Sequence, residues 1–94
     1  MGYYVQAPSN KGKAEYLAEN FERSRLATLS EARDAMENGE GVIVVVDNGP
    51  FEAAGFCYDV HEFNAFTDPS DSRPKKYVVM DYDLAADLSG YRRR

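Results

Sequence analysis

Residues 41–47 read GVIVVVD. Val42 to Val46 are consecutive β-branched aliphatics, closed by a glycine on one side and an aspartate on the other. An amphipathic strand alternates apolar and polar residues. A run without alternation reads as a strand buried on both faces, and this one is far too short to cross a membrane. Such a strand needs neighbours at both edges and cover above and below. The rest of the chain must therefore supply more strands and helices, which favours a layered α/β sandwich over a helical bundle or a barrel.

The flanking sequence supplies both. YYVQA (3–7) suits a short strand. Ser9 can cap a helix through NKGKAEYLAENF, in which Ala14, Leu17, Ala18 and Phe21 form one apolar stripe. Gly12 falls in its first turn, where glycine costs roughly 1 kcal/mol against alanine, so its presence there suggests a close backbone approach. RLATL (25–29) is a second short strand. Thr28 and Glu31 then have capping-box spacing before the helix SEARDAMEN, which buries Ala32, Ala35 and Met36 and stops at Gly39. DNGP (47–50) is a turn. FEAAGFCYD (51–59) runs back antiparallel to the central strand, with Gly55 marking a bulge or a close contact. Asp59 and Glu62 have cap spacing ahead of VHEFNAF, a short helix burying Val60, Phe63 and Phe66. A loop (67–74), the strand KYVVMDY (76–82) and a helix LAADLS, capped by Asp83 and ended by Gly90, complete the chain. The expected architecture is a single α/β domain over residues 1–94, in the order β-α-β-α-β-β-α-β-α. It is a small mixed sheet of four to five strands with parallel neighbours, covered by three to four short helices.

Composition points to a soluble, cytoplasmic protein with no membrane partner. Cys57 is the one cysteine, so no internal disulfide forms. The start MGYYVQAPSN lacks a leader pattern and the Ser or Thr of a myristoylation site. The net charge is −5, unevenly spread: residues 31–72 hold ten acidic groups and one basic group, Arg33. That middle disfavours nucleic acid, whose phosphates need cations, and suits a protein partner with a basic surface. A homodimer would be the other association. Seven tyrosines and five phenylalanines exceed what a small core holds, so some tyrosines should lie at the surface as interface anchors.

Three constellations could carry chemistry. PSNKGK (8–13) joins a strand to a helix, where free backbone N–H groups and the helix dipole favour an anion; Ser9, Asn10, Gly12 and Lys13 would hold it. It matches neither the P-loop nor the dinucleotide fingerprint, and an ordinary capped helix start is the plainer reading. Asp47 and Asp81 both follow strands. If those strands are parallel neighbours, the two acids share an edge and could hold Mg²⁺ with a nucleotide phosphate; the plainer reading is a turn aspartate and no metal. Cys57 and His61 cannot complete a structural zinc site, and Cys57 reads as a small buried thiol. No catalytic residue is assigned.

Strand, SNKGK, then helix resembles the N-terminal nucleotide loop of the inosine triphosphate pyrophosphatase family. VVVDNGP (44–50) is similar to that family's strand ending in D-S-G-L, GFCYD (55–59) to its G-F-G-Y-D, and SDSRPKK to its S-H-R base-binding segment. The resemblance implies that Asn10 and Lys13 contact a triphosphate. The family's proteins are longer and two-lobed, DNGP lacks the Ser and Leu, and SDSR has no His. What is implied is therefore a reduced pyrophosphatase relative that binds a nucleotide without hydrolysing it. In overall type the chain also resembles small phage or prophage proteins that blunt host defence, the anti-CRISPR proteins among them. That implies a non-catalytic inhibitor docking an acidic, tyrosine-containing face on a basic partner, through Asp34, Glu37, Glu40, Asp68 and Asp71.

Overall fold

The buried run is the middle of a five-stranded sheet. A computed structural model describes residues 3–4 and 11–91. Its elements are β1 (Tyr3–Tyr4), α1 (Lys13–Asn20), β2 (Arg25–Ala27), α2 (Leu29–Glu37), β3 (Gly41–Asp47), β4 (Glu52–Cys57), α3 (Val60–Phe66), β5 (Lys75–Met80) and α4 (Tyr82–Ser89). This is the expected element order. The strands lie in the order β1-β4-β3-β5-β2. No helix among the described residues is long and apolar enough to cross a membrane.

The pairing corrects one expectation. Parallel neighbours were expected within a mixed sheet, yet every pair among the described residues is antiparallel. The helical crossovers still join strands that run the same way, but none joins adjacent ones. β2 and β3 have β5 between them, and β4 and β5 have β3 between them. The strand in each gap runs the other way, so alternation of strand and helix along the chain coexists with an antiparallel sheet.

Helices cover both faces, as a two-sided apolar strand requires. On one face Ile43, Val45, Ala54, Phe56, Val78 and Met80 pack with Ala14 and Leu17 of α1 and Ala85 and Ala86 of α4. On the other, Val42, Val44, Val46, Cys57 and Val79 pack with Ala32, Ala35 and Met36 of α2 and Phe63 of α3. Phe56, Phe63, Leu17 and Ile43 are fully buried, each contributing roughly 1.5–3 kcal/mol of transfer free energy.

Local signals set most element ends. Thr28 Oγ1 accepts from Glu31 N at 3.1 Å and Glu31 Oε1 accepts from Thr28 N at 2.9 Å, a complete capping box. Gly39, at φ 82°, closes α2: its N–H donates to Met36 O, and Glu40 N donates to Ala35 O. Asp59 Oδ1 accepts from Glu62 N at 2.7 Å and starts α3. Two boundaries move. Helix α1 begins at Lys13, and Gly12 precedes it at φ 78°, a left-handed conformation that explains the glycine. Helix α4 begins at Tyr82 with Asp81 as its first flanking residue, so Asp83 sits inside the first turn rather than capping it.

Candidate functional site

Antiparallel order decides which side chains meet. At the end of the sheet where β3 finishes and β4 and β5 begin, bases from the chain's two ends meet acids from its middle. Lys11 Nζ lies 2.8 Å from Asp47 Oδ1, which also accepts from Gly49 N at 2.8 Å; these bonds hold the Asp47 carboxyl below its ordinary range. The first backbone N–H of α1, from Lys13, donates to Glu52 Oε1 at 3.0 Å. The positive end of that helix dipole therefore already faces a carboxylate of the same chain. Lys76 binds Glu15 and lowers its carboxyl in turn. Of the four residues proposed for an anion loop, Gly12 and Lys13 are seen here, whereas Ser9 and Asn10 lie outside the described residues.

Asp47 and Asp81 do not share an edge. Because β3 and β5 pair antiparallel, with Val46 opposite Lys75 and Gly41 opposite Met80, the two acids sit at opposite ends of the sheet, about 20 Å of strand apart. Asp81 instead binds Arg23 at 2.8 Å. Among the described residues no group of three His, Cys, Asp or Glu side chains could hold a metal ion. Cys57 is fully buried, and that burial, with Glu62 and Asp59 adding to it, pushes its thiol well above the ordinary range. His61 stands exposed on α3.

The five proposed partner-binding acids fall into two groups. Asp68 and Asp71 belong to the loop that meets the finish of β3, where Asp47 N donates to Pro74 O. Both are engaged: Asp68 accepts from the Ser70 backbone and hydroxyl, and Asp71 from Arg73. Glu40 directly precedes β3 at the other end, 3.7 Å from Arg25. Asp34 and Glu37 are exposed on α2 and form no ion pair among the described residues. Arg33, the acidic segment's one base, lies over the Phe63 ring at 5.6 Å.

The end of the sheet where β2 and β3 start and β4 and β5 stop is acidic. Among the described residues, turns and helix ends there carry Glu22, Glu37, Glu40, Asp59, Asp81 and Asp83 against Arg23 and Arg25. Tyrosines gather at the same end. Tyr58 follows β4 and Tyr82 follows β5, and Tyr82 and Tyr91 flank Phe56. Tyr58 and Tyr91 stack at 5.3 Å, while Phe56 meets Tyr82 at 5.4 Å and Tyr91 at 5.6 Å. Val60, expected in the core, is instead 43% exposed at the first position of α3. Tyr16, Tyr58, Tyr77, Tyr82 and Tyr91 are each half-buried and packed against the two cores. Sequence reasoning found Glu37 and Glu40 but missed Glu22, Asp59, Asp81 and Asp83. The local signal was present, since each acid sits in or beside a turn, but placing those turns together requires the strand directions.

No protein-family model, no curated protein and no solved structure matches this chain.

Proposed function

We propose that this chain is a small, non-catalytic interaction protein that docks its acidic, tyrosine-bearing pole on a basic surface of a protein partner. The partner would be a cytoplasmic complex of the host-defence type whose inhibitors it resembles. One observation carries the reading. Lys11, Arg23, Arg25, Arg73, Lys75 and Lys76 each hold an acid of the same chain and Arg33 covers Phe63, whereas Glu22, Asp34 and Glu37 hold none among the described residues. Among the described residues the charge left to act outward is negative. The pole that holds Glu22 and Glu37 also holds the partly buried rings of Tyr58 and Tyr82, the pairing of steering charge and anchor that interfaces use. Two such poles repel each other, so a homodimer would form through another face.

The alternative reading is a nucleotide or phosphate binder at the start of α1 with Mg²⁺. It requires the ligand to displace Glu52 from Lys13 N and to compete with Asp47 for Lys11. The test is DNA cleavage by a panel of purified nucleic-acid-guided defence nucleases, with and without the chain. The wild type should inhibit at least one. Glu22→Lys with Glu37→Lys should lose that inhibition at unchanged melting temperature, and Lys13→Ala should retain it. Equal inhibition by the double variant overturns the acidic pole. A melting-temperature rise with a nucleoside triphosphate and Mg²⁺ that disappears in Lys13→Ala overturns the reading in favour of the alternative.

A further inference from the structure

A cleft of about 230 Å³ opens between the β3–β4 hairpin and the loop that follows α3, lined by Val46, Asn48, Ala53, Gly55, Ala65, Phe66, Asp71 and Arg73. It lies at the end of the sheet opposite the acidic pole and is argued independently of it. It exists because β4 offers small side chains on that face. At Gly55 there is no side chain at all, and the Phe66 ring takes the space: a Cβ there would meet Phe66 Cζ at 2.3 Å. The floor is therefore apolar, with one aromatic wall.

The rim is polar and rich in donors. Asp71 accepts from Arg73 Nε at 2.9 Å, Nη2 at 2.6 Å and N at 3.1 Å. Lys75, its side chain only 9% exposed, places Nζ 2.8 Å from Asp71 O and 3.1 Å from Arg73 O. Asp71 thus accepts three bonds from Arg73 and holds the loop in place. Arg73 also donates through Nη1 to Asn48 Oδ1. A guanidinium can only donate, so this bond fixes the Asn48 amide with its oxygen toward Arg73 and leaves its NH₂ donors for something else. Three of the five guanidinium donors are used in these bonds, and two remain. Asp68 and Asp71 balance Arg73 and Lys75 in this loop, so what the rim offers an anion is the remaining guanidinium donors of Arg73 and the Asn48 amide rather than a net positive charge.

We infer that this cleft binds a small carboxylate with a compact apolar body, a single ring or a branched aliphatic group. The ring lies on Val46, Ala53 and Phe66, and the carboxylate accepts from the outer Arg73 donors and the Asn48 amide. The volume lies below that of sites for drug-sized ligands, which start near 300 Å³, and this limits the body to about one ring.

The test is an amide-resolved NMR titration of the full chain with benzoate, benzamide and inorganic phosphate. Benzoate should bind saturably in the millimolar range and move the amides of Ala53, Gly55, Ala65 and Arg73. Benzamide should bind at least about tenfold more weakly, the loss expected when one charge-assisted hydrogen bond becomes neutral. Arg73→Gln should weaken benzoate about tenfold as well. Because Arg73→Gln also loosens the Asp71 loop, Ala65→Phe serves as a second variant. Ala65 is exposed on α3, so the larger ring fills the cleft without disturbing the core, and it should abolish binding. Absence of saturable shifts, equal affinity for benzamide or phosphate, or benzoate binding that survives Ala65→Phe each overturns the assignment.

Discussion

Substituting Gly41 by alanine should destabilise the protein although its backbone conformation is open to any residue. Gly41 opens β3 beneath the first turn of α4. A Cβ there would stand 2.7 Å from Ala85 Cβ, 3.0 Å from Tyr82 Cα and 3.1 Å from Asp81 O. Two of these three are backbone atoms and cannot rotate away, so α4 must lift as a body. Overpacking of this kind costs roughly 1–3 kcal/mol. Replacing a strand glycine returns about 0.5 kcal/mol through the unfolded chain, leaving a loss of about 0.5–2.5 kcal/mol. For a domain of this size that is a fall in melting temperature of about 2–20 °C. The assay is thermal unfolding by circular dichroism, with Gly55→Ala as comparator. There the obstacle is the Phe66 ring, which can swing, so the loss should be smaller. Ala85→Gly alone should cost about 1 kcal/mol of helix propensity. Combined with Gly41→Ala it removes the closest contact, so the double variant should be more stable than the sum of the two losses predicts. An unchanged or raised melting temperature for Gly41→Ala, or strict additivity in the double variant, would refute this account of how α4 is seated.

Two other predictions concern titration and reactivity. Cys57, fully buried with its thiol pushed up, should resist a disulfide reagent at neutral pH until denaturant is added, and labelling at the rate of a free thiol would refute it. Glu15, Asp47, Asp68 and Asp71 all have carboxyls held below their ordinary values by hydrogen-bonded bases or backbone N–H groups. Such groups stabilise the fold above their unfolded values, and that contribution is lost as pH falls through the depressed ones. Urea midpoints should therefore hold steady down to about pH 5 and decline below about pH 4. Asp71, clamped by Arg73, should keep its charge longest, and a carboxyl NMR titration placing it at the ordinary aspartate value of about 3.9 would contradict the clamp.

What could be read in advance was local. The β3 run, the Thr28–Glu31 box, the Gly39 stop, the Asp59 cap and the close approach at Gly55 each depend on neighbours in sequence or on one residue's size. Strand direction does not. The connection through α2 is compatible with pairing β3 to β2, and only the insertion of β5 between them makes the sheet antiparallel. That single long-range fact sends Asp47 and Asp81 to opposite ends, divides the acids of residues 34–71 between two poles, and gathers Glu22, Asp59 and Asp81, which lie far apart in sequence. In sequence the glycine of PSNKGK stands out by its helix cost. Its cause, a left-handed turn ahead of α1, is a backbone property that residue type hints at without fixing.

The central strand has a further consequence. Ile43 and Val45 serve one core and Val42, Val44 and Val46 the other, yet all five are branched aliphatics of similar volume. A slip by one residue would exchange the two sets and offend neither core chemically, although in most sheets it would drive polar groups inward. The run that announces the fold therefore carries little information about its own alignment. That information resides at its tips. Gly41 fits beneath α4 as no side chain could, and Asp47 is bound by Lys11 and Gly49. They act as registration marks, and errors of alignment should arise from changes at these two positions before changes among the valines.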